Sequence, residues 1–324
     1  MKILIIRFSS IGDIVLTTPV VRCVKKQLGA EVHYLTKAPF RSILDNNPYV
    51  DEVYSLGDSL KTILMRLQDH SYDFVIDLHK NIRSMRVRAG LRAPSAGFHK
   101  ANLAKWLMVN TKVDCLPKKH IVERYFDAVA TLRVSYDGQG LDYFVATDAD
   151  HTTQPPNVVF AIGGAHSTKR LPKNMIKEIC ANIDAPITIV GGVEDSTTGA
   201  EIDRELVHVT NQAGSCSLDE SAARVKDAAV VITHDTGMMH IAAALQRPII
   251  SIWGNTIPGF GMYPFYPTGH QIRSARFEVS NLRCRPCSKI GFSDCPKGHF
   301  KCMNLQSTQG IAAHVMEIIS ASKV

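Results

Sequence analysis

The feature that most constrains this chain is a repeated short unit: four or five apolar residues, then a small or polar turn, then a helix-like segment. Lys2–Ile6 is such a run, and Glu31–Leu35 and Phe74–Leu78 read as further strands of the first half. In the second half, Val158–Ile162, Ile187–Val190, Val230–Thr233 and Ile249–Trp253 are apolar and largely β-branched. Strands this short, apolar on both faces and alternating with helices, belong in parallel sheets, so an α/β architecture is predicted. Helices are expected at Ile14–Gln27 and Thr308–Ser322, and Ala149–Asn157, with its Gln154-Pro155-Pro156, reads as a linker between two domains. Ligands of parallel-sheet domains sit beyond the carboxyl ends of the strands, which predicts a central cleft lined by the loops after the strands.

At 324 residues, 45% hydrophobic and 21% charged, the chain has the composition of a folded protein of about two domains. No apolar run approaches the roughly 18 residues of a membrane span, and the amino terminus lacks a signal-peptide pattern, so a cytoplasmic protein is expected. Charge is uneven. The net charge is +7, yet residues 78–124 alone hold eleven Lys and Arg against Asp114 and Glu123. That stretch predicts an anionic partner: phosphate, a membrane surface or nucleic acid. Within it, Leu103, Trp106, Leu107 and Met108 beside Lys100, Lys105 and Lys112 suit either a lipid–water boundary or a core-facing helix. Nucleic acid is the poorer fit, because aromatics make up 7% of the chain and do not interleave with the basic run.

Four strand-following loops carry polar groups. Ser9-Ser10-Ile11-Gly12-Asp13 opens a helix without the glycines of a dinucleotide fingerprint; Ser10 or Asp13 could cap that helix, or Asp13 could take a proton from a substrate hydroxyl. Gly163-Gly164-Ala165-His166-Ser167-Thr168-Lys169 combines small residues, hydroxyls and a cation, as a phosphate loop does, although it is not a Walker motif. Asp235-Thr236-Gly237 would start a helix whose free N–H groups can meet a pyrophosphate, with His240 on the same segment. Gly191-Gly192-Val193-Glu194 places a carboxylate as in ribose sites, or merely in solvent. No nucleophile elbow of a triad hydrolase occurs.

The cysteines divide into four scattered ones and a cluster, Cys284-x2-Cys287-x7-Cys295-x6-Cys302, with His299 inside it. A structural zinc site and reduced, packed thiols both fit that spacing, and redox chemistry is a third reading.

Taken together, MKILIIRFSSIGDIVLTTP at the start, DLHKNIRS at 77–84, HIVERY at 120–125, HDTGMMHIAAALQRP at 234–248 and the cysteine run at 284–303 resemble glycosyltransferase family 9, the ADP-heptose:lipopolysaccharide heptosyltransferases. The resemblance implies a GT-B fold of two Rossmann-like domains: residues 1–152 for the acceptor and 153–307 for an ADP-sugar, with the helix at 308–324 packing back on the first. It implies that Asp13 is the catalytic base of an inverting transfer. Ser167, Thr168, Lys169, Glu194, Asp235, Thr236, Gly237 and His240 would hold the donor, and Ser10, Gly12, Arg83, Ser84 and His120 the acceptor. No cofactor or catalytic metal is implied. The expected partners are an ADP-sugar, a phosphorylated lipid-anchored saccharide and the inner face of the inner membrane. A departure from the pattern is the phosphate loop GGAHSTKRLP, which has Leu171 where a Trp is expected before the proline.

Overall fold

A computed structural model of the chain describes residues 1–57, 59–146 and 158–321; the linker expected at Ala149–Asn157 and the boundary at 152/153 lie outside the described residues. The chain forms two compact units. The first comprises Met1–Lys100, Lys119–Phe144 and Tyr266–Thr268, and the second Ala101–Lys118, Val145–Phe265 and Gly269–Val324. The division therefore falls at several points in the chain, not at one linker.

In chain order the elements begin with β1 (Lys2–Ile6), α1 (Ile11–Val15), α2 (Thr18–Leu28), β2 (Glu31–Lys37), α3 (Ser42–Asp45), β3 (Glu52–Leu56) and α4 (Leu60–Gln68). They continue with β4 (Phe74–Asp77), α5 (Ile82–Leu91), β5 (Ser95–Gly97), α6 (Asn102–Thr111) and α7 (Ile121–Tyr125). The five strands form one sheet in the order β3-β2-β1-β4-β5, each neighbouring pair parallel. Ile3 to Ile6 of the central strand are wholly buried, which is why that run is apolar on both faces. The single helix expected at Ile14–Gln27 is two. Pro19 lacks an N–H and sits in the first turn of α2, while the Thr17 and Thr18 hydroxyls donate to the carbonyls of Ile14 (2.7 Å) and Val15 (2.8 Å), where α1 ends. Arg22, 1% exposed on α2, anchors the later part of the unit: it donates to Asp137 (2.8 and 2.9 Å), to the Gly140 carbonyl (2.9 Å) and to Asp142.

The second unit adds β6 (Val158–Ala161), α8 (Lys173–Ala181), β7 (Ile187–Val190), α9 (Ser196–Glu205), β8 (Val209–Asn211) and α10 (Leu218–Asp227). It goes on with β9 (Val230–His234), α11 (Gly237–Ala244), β10 (Ile249–Trp253), β11 (Ala275–Glu278), α12 (Lys301–Asn304) and α13 (Thr308–Ala321). Its sheet is also parallel, in the order β11-β10-β9-β6-β7-β8. The family resemblance sends the last helix to the first domain. Instead Ile311, Val315 and Ile318, spaced four and three apart on one face of α13, join the hydrophobic core of the second unit with Ile319 and α8 residues such as Ile176.

Each sheet has one point where the chain reverses its direction of winding. In the first it lies between β1 and β4, in the second between β6 and β9. Loops leaving two such strands diverge and open a crevice at their carboxyl ends. The motifs after β1, β6 and β9 stand at these two points.

Candidate active site

In the first unit, Ser10, Gly12 and Asp13 occupy a single turn at the carboxyl end of β1. Asp13 Oδ2 accepts from the Ser10 N–H (3.1 Å) and the Ser10 hydroxyl (2.9 Å), so the carboxylate closes the start of α1. Its other oxygen pairs with Arg7 Nη2 at 2.5 Å, and the side chain stays 22% exposed. The capping and chemical readings of Asp13 are thus compatible: one face holds the turn while the group remains open to solvent. Arg7 is fixed in turn by the carbonyls of Ser9 (3.0 Å) and Leu78 (2.5 Å), tying the β1 and β4 loops together.

The resemblance-based acceptor residues fare unequally. Arg83 is exposed on the first turn of α5. Ser84 is buried, and its hydroxyl donates to Asp77 Oδ2 (2.8 Å) and accepts from the Asn81 N–H (2.9 Å), so it braces the β4–α5 turn. His120 is buried as the cap of α7; its Nδ1 accepts from the Val122 N–H at 3.2 Å, and its own N–H donates to Glu123 (2.6 Å). Sequence reasoning passed over His79, whose ring lies 4.9 Å from that of Phe8. Burial, reinforced by the Arg7 and Lys100 charges, lowers its pKa to about 4 and keeps it neutral. Its signal was present only as a letter within DLHKNIRS.

In the second unit, Lys169 and Asp235 meet across the β6/β9 crevice. Lys169 Nζ donates to Asp235 Oδ2 (2.6 Å) and to the Asp235 carbonyl (3.1 Å), and the Thr256 hydroxyl donates to the same Oδ2 at 2.7 Å. Thr236 caps α11 with extended backbone, and Thr236 and Gly237 remain half-buried at the helix start. Gly164 lets the two loops approach closely: a Cβ on it would come within 3.3 Å of the Thr236 methyl and 3.2 Å of Arg170. Behind Lys169 stands His234, wholly buried, with Nε2 accepting from the Leu171 N–H (3.0 Å) and Nδ1 facing the Gly163 carbonyl (3.5 Å). Burial lowers its pKa to about 4.

Ser167 and Glu194 line an open pocket of about 230 Å³ with Arg170, Asp195 and Phe300. Arg170 pairs with Asp195 at 3.1 Å. Thr168 is directed elsewhere: its hydroxyl accepts from the Phe292 N–H (2.8 Å) and donates to the Phe292 carbonyl (3.1 Å). His240 is buried one turn into α11. Asn255, 1% exposed after β10, makes no side-chain hydrogen bond among the described residues. Nothing in local sequence distinguishes Thr256, because its contact with Asp235 joins loops of two strands distant in the chain.

Of the three readings of the cysteine cluster, a zinc site finds no assembled ligand set among the described residues. Among the described residues, no three of Cys284, Cys287, Cys295, Cys302 and His299 bring ligand atoms within 4.8 Å of one another. Cys284 Sγ lies 3.8 Å from His299 Nε2, whereas Cys302 is packed in the second core. Burial and neighbouring thiols push Cys302 up to about 11 and raise Cys287, so both stay thiols at neutral pH. The segment is instead a clamp. Arg285 donates to the carbonyls of Gly254 (2.7 Å) and Thr256 (2.8 Å), and the Cys287 N–H to that of Asn255 (3.2 Å).

A lysine and a helix start at the crevice of a parallel sheet suit a nucleoside diphosphate, and the class so defined is that of α/β enzymes using activated nucleotide esters. The comparisons make this specific: the profile of glycosyltransferase family 9 (heptosyltransferase) matches residues 61–291, and the chain belongs to that family. It is a glycosyltransferase with the two-sheet GT-B fold. Lipopolysaccharide heptosyltransferase 1 of Campylobacter coli is 26% identical over 291 residues, covering 79% of this chain and 84% of the relative. Among solved structures, E. coli ADP-heptose lps heptosyltransferase II superposes with a TM-score of 0.76 at 20% identity over the full length of both chains. E. coli heptosyltransferase WaaC with ADP-2-deoxy-2-fluoro heptose gives 0.70 at 20% identity, covering 98% of this chain and 99% of the other.

Proposed function

We propose that this enzyme transfers a heptose from ADP-heptose to a lipopolysaccharide inner-core acceptor, inverting the anomeric carbon. Membership of family 9 and the names of its relatives support the substrates. The observation that carries the donor side is the Lys169–Asp235 pair at the start of α11. In the reaction, an acceptor hydroxyl oxygen attacks the anomeric carbon, the bond from that carbon to the phosphate oxygen breaks, and ADP leaves with the electron pair. Asp13 takes the acceptor proton. Lys169 turns its ammonium to the departing diphosphate, the N–H groups at Thr236 and Gly237 meet the same charge, and Asp235 and Thr256 face the sugar. Charge on the leaving group is met by these groups, so no catalytic metal is assigned. Ser167 and Glu194 take the nucleoside, while Arg83, Ser10 and Gly12 face the acceptor and Ser84 and His120 hold the loops that do so.

The acceptor so proposed is lipid-anchored, and an exposed apolar pair supports a peripheral place at the cytoplasmic face of the inner membrane. Leu103 and Trp106 are exposed on α6 among the lysines of the basic stretch. The test is release of ADP from ADP-heptose with a deacylated inner-core acceptor. Asp13→Asn should bind ADP as the native enzyme does and turn over about 10²-fold more slowly or worse. Near-native turnover in that variant, or faster transfer from UDP- or GDP-sugars, would overturn the reading.

A further inference from the structure

Far from these residues in the first unit, at the amino-terminal ends of the strands, the side chains of His33, Glu52 and His70 converge. One ligand atom from each lies within 4.8 Å of the others. The local sequence explains the convergence. His33 and Glu31 are two apart on β2 and share a face, and the parallel register sets His33 beside Glu52 of β3. His70, just past α4, packs its ring edge-on to His33 at a centroid distance of 5.0 Å.

Both imidazoles are oriented through one nitrogen by a phenol. His33 Nδ1 bonds the Tyr72 hydroxyl at 2.9 Å, and His70 Nε2 bonds that of Tyr54 at 2.5 Å. The inner nitrogens are turned to charge. His33 Nε2 lies 3.0 Å from Glu31 Oε1 and 3.9 Å from Glu52 Oε2, and His70 Nδ1 lies 3.5 Å from Lys2 Nζ. The Lys2 ammonium is also 3.1 Å from Glu31 Oε1. A cationic group therefore already stands between a carboxylate and an imidazole lone pair. Histidines that ligate metals are held in the same manner, by a hydrogen bond on the ring nitrogen that faces away from the metal. His33 is 1% exposed, and its burial favours the neutral ring that ligation requires.

We infer that His33 Nε2, His70 Nδ1 and the Glu52 carboxylate form a binding site for a divalent transition metal of the zinc class, with Glu31 beside it and the Lys2 ammonium as its competitor. Two imidazoles with a carboxylate suit zinc or cobalt and fall short of the six or more oxygens that calcium takes. On binding, His33 exchanges its Nε2–H for a proton on Nδ1, which then donates to Tyr72. The metal sits at the start of β2 and β3, whereas Asp13 follows the end of β1, so the site is structural.

The test titrates chelator-treated full-length protein with Co²⁺ and Zn²⁺ in a Cys284→Ser/Cys287→Ser background, which removes the closely spaced cysteine pair. One equivalent should bind with cobalt ligand-field absorption and no thiolate charge-transfer band, and zinc should raise Tm. Removal of a second-shell partner alone costs metal sites 10- to 100-fold, so His70→Ala and Glu52→Gln should each weaken binding by at least about tenfold. Both positions are at least partly exposed, and near-UV circular dichroism checks their folding. Lys2→Met should tighten binding. Unchanged affinity in both ligand variants, weaker or equal affinity in Lys2→Met, or no micromolar binding would each overturn the site and leave a hydrogen-bonded network closed by Lys2.

Discussion

Acidification should unlock the phosphate loop of the second unit through His234. That imidazole accepts the Leu171 N–H at the foot of the loop, and with its pKa at about 4 in the folded chain against about 6.5 when unfolded, it is neutral in the native state. The unfolded chain therefore binds the proton first. Stability due to this group is complete above pH 6.5, falls as pH drops from 6.5 toward 4, and levels off below. The gap is worth about 3 kcal/mol, of the order of a third of the stability of an ordinary domain. Protonation also removes the acceptor of the Leu171 N–H, so donor affinity should fall in the same window. Both tryptophans, Trp106 and Trp253, belong to the second unit, so tryptophan fluorescence in urea reports it. The native protein should lose stability steeply between pH 6.5 and 4.5, and His234→Gln should flatten that slope by about 3 kcal/mol over the full window. Parallel slopes in the two proteins would refute the assignment. So would an imidazole titration by NMR with the His234 midpoint near 6.5.

Three other outcomes follow from the same structure. Lys169→Ala should weaken ADP-sugar binding and lower turnover together, since the proposed role sets its ammonium against the donor in ground and transition states; unchanged calorimetric affinity and kcat would take it out of the site. Arg22→Met should destabilise the first unit by about 3 kcal/mol, because Asp137 and Asp142 keep their charges and lose their partner; denaturant midpoints measure this. Trp106→Ser should reduce binding to vesicles containing anionic lipid, and native binding should weaken with salt in sedimentation assays.

The central strands were legible in the sequence because a strand buried on both faces must be apolar throughout, and β1, β6, β7, β9 and β10 fall where their runs predict. The edge strands were not. β11 alternates half-buried and exposed residues, and β5 is three half-buried residues, Ser95–Gly97, whose strand character comes from pairing with β4. Pro19 could have signalled the break between α1 and α2. The strand-end rule placed Asp13, Lys169 and Asp235 in the loops after β1, β6 and β9, and they lie there. What it could not supply was the direction of a hydroxyl: Ser84 and Thr168 look like ligand groups in the sequence but turn inward to Asp77 and Phe292. His120 was likewise hidden, since histidine is an uncommon helix cap.

The clamp formed by the cysteine-bearing segment has a further consequence. Phe292 grips Thr168, one residue from Lys169, while Arg285 holds the turn from which Thr256 reaches Asp235. The late stretch of chain from 283 to 303 thus braces the two loops that carry Lys169 and Thr256. Changes there should register as altered grip on the nucleotide.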